Sequence, residues 1–295
     1  MVSKIGVIVL ILIAYLITAC QTEPDTQPLS TPSPEVPTST ATYQVVTVEP
    51  TATKTSTTNP TQEPTQEETP TVEKTVEPIV TNRELTEELL IPVDELNIAG
   101  TLYFPSNNSP PWPGVILLHM LHGDQSQWED FPLQLTEEGF AVLSMDIRGH
   151  GNTGGEMNWD LAISDQQQVW DYFATRQEID QDRIAIVGAS VGANLALVAS
   201  SNEPSVRTAV LLSPGLNYAG VKTQAAINSI GDRPVLIVAS QEDTYAADSS
   251  TILYESAVAD SQLIMYQEAG HGTFMLRAEP GLTQTIVDWL ATYLE

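Results

Sequence analysis

From Gly114 onward, short uninterrupted apolar runs alternate with stretches of helical spacing, and this alternation does most to limit the folds open to the chain. Gly114 to Leu118, Ala141 to Met145, Ile184 to Val187, Thr208 to Leu212, Pro234 to Ala239 and Ser261 to Tyr266 each have the length of one strand. They lack an apolar/polar alternation, as expected of strands covered on both faces. Helical stretches fall within Gln127 to Glu138, over Asp160 to Thr175 through Val169, Trp170 and Phe173, over Asn194 to Ala199, and over Leu282 to Leu294. Strands separated by helical segments predict an α/β domain with a mostly parallel central sheet and helices on both faces. Ahead of it, alternation in Leu89 to Val93 and Leu96 to Phe104 predicts an antiparallel hairpin, and Pro105 to Pro113 is rich in turn residues. Loops that leave the parallel strands gather along one sheet edge, where open sheets collect their sites.

The chain is divided unevenly. Residues 1–20 read as an export signal: Lys4 gives a basic start, and Ile5 to Ile17 is apolar but shorter than the about 18 to 20 residues of a membrane span. The run ends in Ile17-Thr18-Ala19-Cys20, which resembles the lipobox of bacterial lipoproteins, so Cys20 is the expected lipid site. A plain secretory signal with an incidental cysteine is the alternative. Cys20 is the only cysteine, which excludes an intramolecular disulfide. Residues 21–80, rich in Thr, Pro, Glu, Ser and Gln, cannot bury enough apolar surface to offset the entropy of ordering them. They read as a disordered stalk that could extend to about 180 Å. Residues 81–295 then form the folded domain, with 29 acidic against 8 basic residues. Such a balance argues against nucleic acid as a partner, and the expected membrane contact is through lipid alone.

Within this order, Gly188-Ala189-Ser190-Val191-Gly192 stands between the strand ending at Val187 and a helical stretch. A serine on a sharp strand-to-helix turn is exposed as a nucleophile, and Gly188 and Gly192 relieve crowding across that turn. A helix-capping serine flanked by packing glycines is the bland alternative. A serine hydroxyl needs a histidine to take its proton and a carboxylate to orient that histidine. Of His119, His122, His150 and His271, only His271 lies downstream, in a loop after the last strand. Asp243 follows the strand Pro234 to Ala239 and is the favoured acid; adjacent Glu242 is the alternative, and Asp248 is expected to begin a helix.

Oxyanion donors are expected from the backbone N–H of Val191 and from the loop His119 to Gly123, with Leu121 the chosen residue there. His119 and His122 shape this turn or, alternatively, form a metal pair, but no carboxylate spacing accompanies them. Trp159 and Tyr218 are candidate pocket walls, with ordinary packing as the other reading. The stretch from Leu212 to Pro234 is short for a lid, although Leu216, Tyr218 and Ala225-Ala226-Ile227 could form a small cap.

Taken together, Leu117-Leu118-His119, Asp146-Ile147-Arg148-Gly149-His150-Gly151, the serine pentapeptide, Glu242-Asp243 and Gly270-His271-Gly272 resemble the α/β-hydrolase superfamily over residues 90 to 295. The domain is most similar to its compact dienelactone-hydrolase-like or acyl-esterase members. That resemblance implies Ser190, Asp243 and His271 as a triad, Leu121 and Val191 as the oxyanion hole, and a structural Asp146–Gly151 turn. It further implies hydrolysis of small or medium acyl esters through an acyl-serine, with no cofactor and no metal. Dienelactone hydrolase proper uses a cysteine nucleophile, so Ser190 weakens that activity, and His122 stands where many relatives carry a small residue. A serine peptidase and a non-catalytic surface-binding module are the alternatives.

Overall fold

The computed structural model describes residues 85–258 and 260–295. The signal (1–20), Cys20 and the stalk (21–80) lie outside these residues.

Among the described residues, ten strands and seven helices follow one another, the expected strands and helical stretches among them. They are β1 (Thr86–Val93), β2 (Leu96–Tyr103), β3 (Trp112–Leu118), a 3-10 turn (Gln125–Trp128), α1 (Phe131–Glu137), β4 (Ala141–Met145) and α2 (Trp159–Ala174). Next come β5 (Ile179–Ala189), α3 (Val191–Asn202), β6 (Val206–Leu212), β7 (Asn217–Tyr218), β8 (Val221–Lys222) and α4 (Gln224–Ser229). The chain closes with β9 (Val235–Ser240), α5 (Thr244–Ser256), β10 (Gln262–Tyr266), α6 (Phe274–Ala278) and α7 (Gly281–Leu294).

Eight strands form one sheet in the order β1-β2-β4-β3-β5-β6-β9-β10. β1 and β2 pair antiparallel through the expected hairpin, β2 runs antiparallel to β4, and the rest are parallel. The apolar runs are uninterrupted because the pleat deals alternate residues to two cores. Ile116, Leu118, Leu143, Met145, Ile186, Leu211 and Ile237 face one side, with Val169 and Phe173 of α2 and Leu195 of α3. Val115, Leu117, Val142, Val187, Val210, Leu212, Leu236 and Val238 face the other, with Leu135 of α1 and Ile286 and Leu290 of α7. At about 25 cal/mol per Å² of apolar surface, this two-sided burial is the main stabilising term.

Two elements differ from the expectation. β5 begins at Ile179, five residues early, because Ile179 pairs with Trp112 before the register shifts to Gly114↔Ile184. Asp248 does not begin a helix: α5 starts at Thr244, and Asp243 is its N-cap. The stretch between β6 and β9 folds as the β7–β8 hairpin followed by α4, a small cap of the expected kind.

Candidate active site

The parallel strands deliver three loops to one edge of the sheet. Ser190 follows β5, Asp243 follows β9, and His271 lies in the loop after β10. Ser190 has φ 55° and ψ −121°, a left-handed conformation that costs a non-glycine residue about 1–3 kcal/mol. Neighbouring backbone holds it there. Ser190 N–H donates to Leu212 O at 2.8 Å, and Ser190 O accepts from Ala193 N at 2.9 Å and Asn194 N at 3.2 Å.

The flanking glycines are needed for space. A Cβ on Gly188 would lie 2.1 Å from Gly192 O, and one on Gly192 would lie 2.2 Å from Leu118 O and 2.4 Å from His119 O. The helix that starts at Val191 therefore presses directly on the end of β3. Ser190 is buried, as are Val191 and Gly192 behind it.

Asp243 and His271 meet: the Asp243 Oδ2 atom and His271 Nδ1 are hydrogen-bonded. An ionised carboxylate only accepts, so the ring proton sits on Nδ1 and leaves Nε2 as the basic nitrogen. Asp243 Oδ1 also accepts from Ala246 N at 3.5 Å, which ties the Asp243 carboxylate to the first turn of α5. Glu242 has another task. Its Oε1 accepts from Gly270 N at 2.6 Å and so fastens the histidine loop. Of the two acidic candidates, Asp243 is the one that touches the ring.

The histidine loop rests on a residue that the sequence did not single out. Gly272 N donates to Ser213 Oγ at 2.9 Å, while Ser213, at φ 51°, donates its own N–H to Val238 O at 2.7 Å. Ser213 follows Leu212, whose carbonyl holds Ser190, so one turn supports both Ser190 and the loop of His271. A Cβ on Gly272 would lie 2.4 Å from Met120 Sδ and 3.4 Å from Ala189 Cβ, which puts His271's neighbour against Ser190's.

On the other side stands the loop after β3. Met120 N–H is taken by Gln127 Oε1 at 3.0 Å, and Gly123 leaves room for that amide, since a Cβ there would lie 2.0 Å from Gln127 Cδ. The N–H groups of Leu121 and Val191 have no acceptor among the described residues. Both are therefore available to a bound oxyanion. His122 turns the loop at φ 60° and is exposed.

Behind this loop, His119 is fully buried and fixed at both nitrogens. Nδ1–H donates to Met120 O at 2.7 Å, and Nε2 accepts from Ile147 N at 2.9 Å. Burial lowers its pKa from 6.5 to about 4, so it stands as a neutral clamp between the loops after β3 and β4. Asp146, also buried, accepts from Gln125 N and Asn152 N at 2.8 and 2.7 Å. Arg148 donates two hydrogen bonds to Asp165, at 2.7 and 2.6 Å. His150 Nδ1 bonds Arg148 O, and its ring meets His119 at 5.1 Å and Trp159 at 5.9 Å. The Asp146–Gly151 turn is thus a brace.

The two candidate pocket walls part company. Tyr218 reaches the site: its ring stands perpendicular to that of His271 at 6.2 Å between centroids. Burial, reinforced by Asp243, raises its pKa, so the phenol stays neutral. Trp159 packs against His150 and the core under α2. Among the described residues, no group of three or more His, Cys, Asp or Glu could hold a metal ion. None of the described helices is long and apolar enough to cross a membrane.

Comparison with known proteins agrees with this architecture. Residues 110–232 match a family model described as serine aminopeptidase S33, a span that includes Ser190 and ends before Asp243 and His271. An uncharacterized protein of Mycobacterium tuberculosis is 24% identical over 194 residues, 58% of this chain and 67% of that protein. Esterase FrsA of Yersinia pestis is 30% identical over 138 residues, 45% of this chain, which spans about a third (32%) of that esterase. Among solved structures, the Pyrococcus furiosus esterase Pf2001 superposes with a TM-score of 0.62 at 19% identity, over 71% of this chain and 91% of that one. Dienelactone hydrolase from Anabaena variabilis gives 0.59 at 19% identity, over 72% and 100%. The sheet order and these likenesses agree on one architecture: the chain has the α/β-hydrolase fold.

Proposed function

We propose that the protein is a serine hydrolase that cleaves carboxylic esters through an acyl-serine intermediate. The observation that carries this reading is the Asp243–His271 hydrogen bond, in loops that share one sheet edge with the strained Ser190 turn. Ser190 Oγ attacks the acyl carbon while His271 Nε2 takes its proton. The resulting oxyanion is held by the N–H groups of Leu121 and Val191. His271 then gives its proton to the departing alkoxide as the ester C–O bond breaks. Water, deprotonated by His271, releases the acid and restores Ser190. The Ser190–His271 contact that begins this sequence is not closed as a hydrogen bond among the described residues; such contacts commonly tighten only when substrate binds.

Carboxylesterase chemistry is supported by the likeness to two esterases, FrsA and Pf2001, and small or medium acyl esters are the substrates we propose. Serine peptidase activity is the second reading, favoured by the family model over residues 110–232. The residue pattern up to Cys20 supports an extracytoplasmic, bacterial location, with the domain tethered by lipid at Cys20 through the stalk of residues 21–80. Palmitate labelling that persists in Cys20→Ala would remove that tether.

A fluorophosphonate probe separates an enzyme from a non-catalytic binding module. We expect the wild type to be labelled and Ser190→Ala to be silent. Equal labelling of the two, or none of either, sinks the serine-hydrolase reading. Parallel panels of esters and peptide amides on the same pair decide between esterase and peptidase.

A further inference from the structure

We propose that Tyr218 and Tyr245 form a fixed aromatic wall that selects the alcohol part of the ester, favouring apolar and aromatic alcohols. This rests on the esterase reading. His271 delivers its proton to the departing alkoxide, so the alcohol must lie against His271 when the C–O bond breaks. Tyr218 is the aromatic side chain that meets the His271 ring, edge to face, with centroids 6.2 Å apart at 88°. Tyr245, two residues after Asp243, meets Tyr218 in turn at 5.4 Å and 68°. The wall thus borders the base, on the leaving-group side.

The wall is held in place from three directions. Tyr245 Oη accepts from Asn217 N at 2.9 Å and donates to Asn217 O at 3.1 Å, which pins α5 to the β7–β8 hairpin. Asn194, fully buried one turn after Ser190, accepts from Gly215 N at 2.9 Å and donates to Val221 O at 2.8 Å. It ties the hairpin to the nucleophile's own helix. Thr223 Oγ1 closes the base of the hairpin on Gly215 O at 2.8 Å. Gly215 lets both rings settle on bare backbone, for its missing Cβ would lie 2.7 Å from Tyr218 Cε2 and 2.8 Å from Tyr245 Cε1. Tyr218 is half-buried and Tyr245 is 47% exposed, so aromatic surface remains open to a ligand.

A rigid wall gives selectivity because no ordering of the protein is charged against binding. An aromatic alcohol placed edge-on to these rings gains the preference that aromatic pairs show beyond simple burial, about 3- to 10-fold. On this reading the acyl side does not meet the two tyrosines and receives no such gain.

The test uses the full chain and unactivated esters. kcat/KM is measured for ethyl acetate, benzyl acetate (aromatic on the alcohol side) and ethyl phenylacetate (aromatic on the acyl side). The wild type should favour benzyl over ethyl acetate by about 10-fold or more, a preference built from aromatic pairing and apolar burial together. That ratio should fall about 3- to 10-fold in Tyr218→Ala. It should persist in Tyr218→Phe and fall in Gly215→Ala, which displaces both rings without deleting either. The ethyl phenylacetate to ethyl acetate ratio should be the same in all four proteins. A wild-type benzyl preference near one, or a preference that survives both Tyr218→Ala and Gly215→Ala, overturns the proposal. So does a preference found on the acyl side alone. Failure to cleave any of the three esters overturns the esterase reading itself, and this proposal with it.

Discussion

Replacing Gly192 by alanine adds, net, one carbon and two hydrogens at a crowded point of the site. The new Cβ would lie 2.2 Å from Leu118 O and 2.4 Å from His119 O. Carbon–oxygen contacts do not close below about 3.3 Å without strain, so the gap must open by about 1 Å. Neither obstacle can swing aside, because both oxygens belong to the backbone where β3 ends. What moves is α3 against the loop that carries Leu121. Val191 N–H and Leu121 N–H sit on opposite sides of this contact, so the displacement spreads the two donors that would share one oxyanion. Loss of a single such donor costs about 10²–10³-fold in rate, and a 1 Å error in placement about 10²-fold. We therefore expect kcat/KM for ethyl acetate to fall by about 10²-fold or more in Gly192→Ala. Overpacking should also cost about 1–3 kcal/mol of stability, or a Tm lower by about 2–12 °C in calorimetry. The reasoning is refuted if the variant hydrolyses the ester within threefold of the wild type and melts at the same temperature.

Two further outcomes follow from groups described above. Asp243→Asn keeps the shape at His271 but removes the charge and turns one acceptor oxygen into an NH2 donor, which favours the wrong tautomer, so kcat should drop by about 10⁴-fold while the melting temperature changes little; retention of more than a tenth of wild-type kcat would reject Asp243 as the orienting acid. His119 has a folded pKa of about 4 against 6.5 when exposed, so between those values the unfolded chain takes a proton that the folded one refuses. Its contribution is whole above pH 6.5 and declines as the pH falls, by about 3 kcal/mol at pH 4. Urea unfolding at stepped pH should show a shallower decline for His119→Gln than for the wild type, and parallel declines would refute the assignment.

Much of this fold was legible because strands buried on both faces cannot alternate in polarity. The runs at Gly114 to Leu118 and Pro234 to Ala239 stood out for that reason. The first half of β5 escaped notice for the converse reason: Asp180, Gln181, Asp182 and Arg183 are polar and largely exposed, yet the backbone there already belongs to the strand. The pairing of Asp243 with His271 is legible from chain order, since few loops with the right chemistry follow Ser190. The supports could not. Ser213 acts through a left-handed turn and a loop 59 residues away, and Asn194 through a hairpin 21 to 27 residues away. Neither partner is visible until the chain has folded. A polar Asn194 directly before the apolar stretch Leu195 to Ala199 is the one available hint.

The position of β10 has a consequence for how activity would be lost on heating. Among the described residues it is the last strand of the sheet, bonded to β9 alone, and its side chains are mostly half-exposed. Ser190 follows β5, with sheet neighbours on both sides, whereas His271 hangs from the margin. Fraying is cheapest at such margins. An opening confined to β10 carries His271 away from Ser190, whose turn is still intact, so under the proposed function inactivation would run ahead of melting and reverse on cooling. Durability of function would then be governed by the weakest strand of the sheet, and reinforcing β10 would extend the working range further than any improvement to the interior.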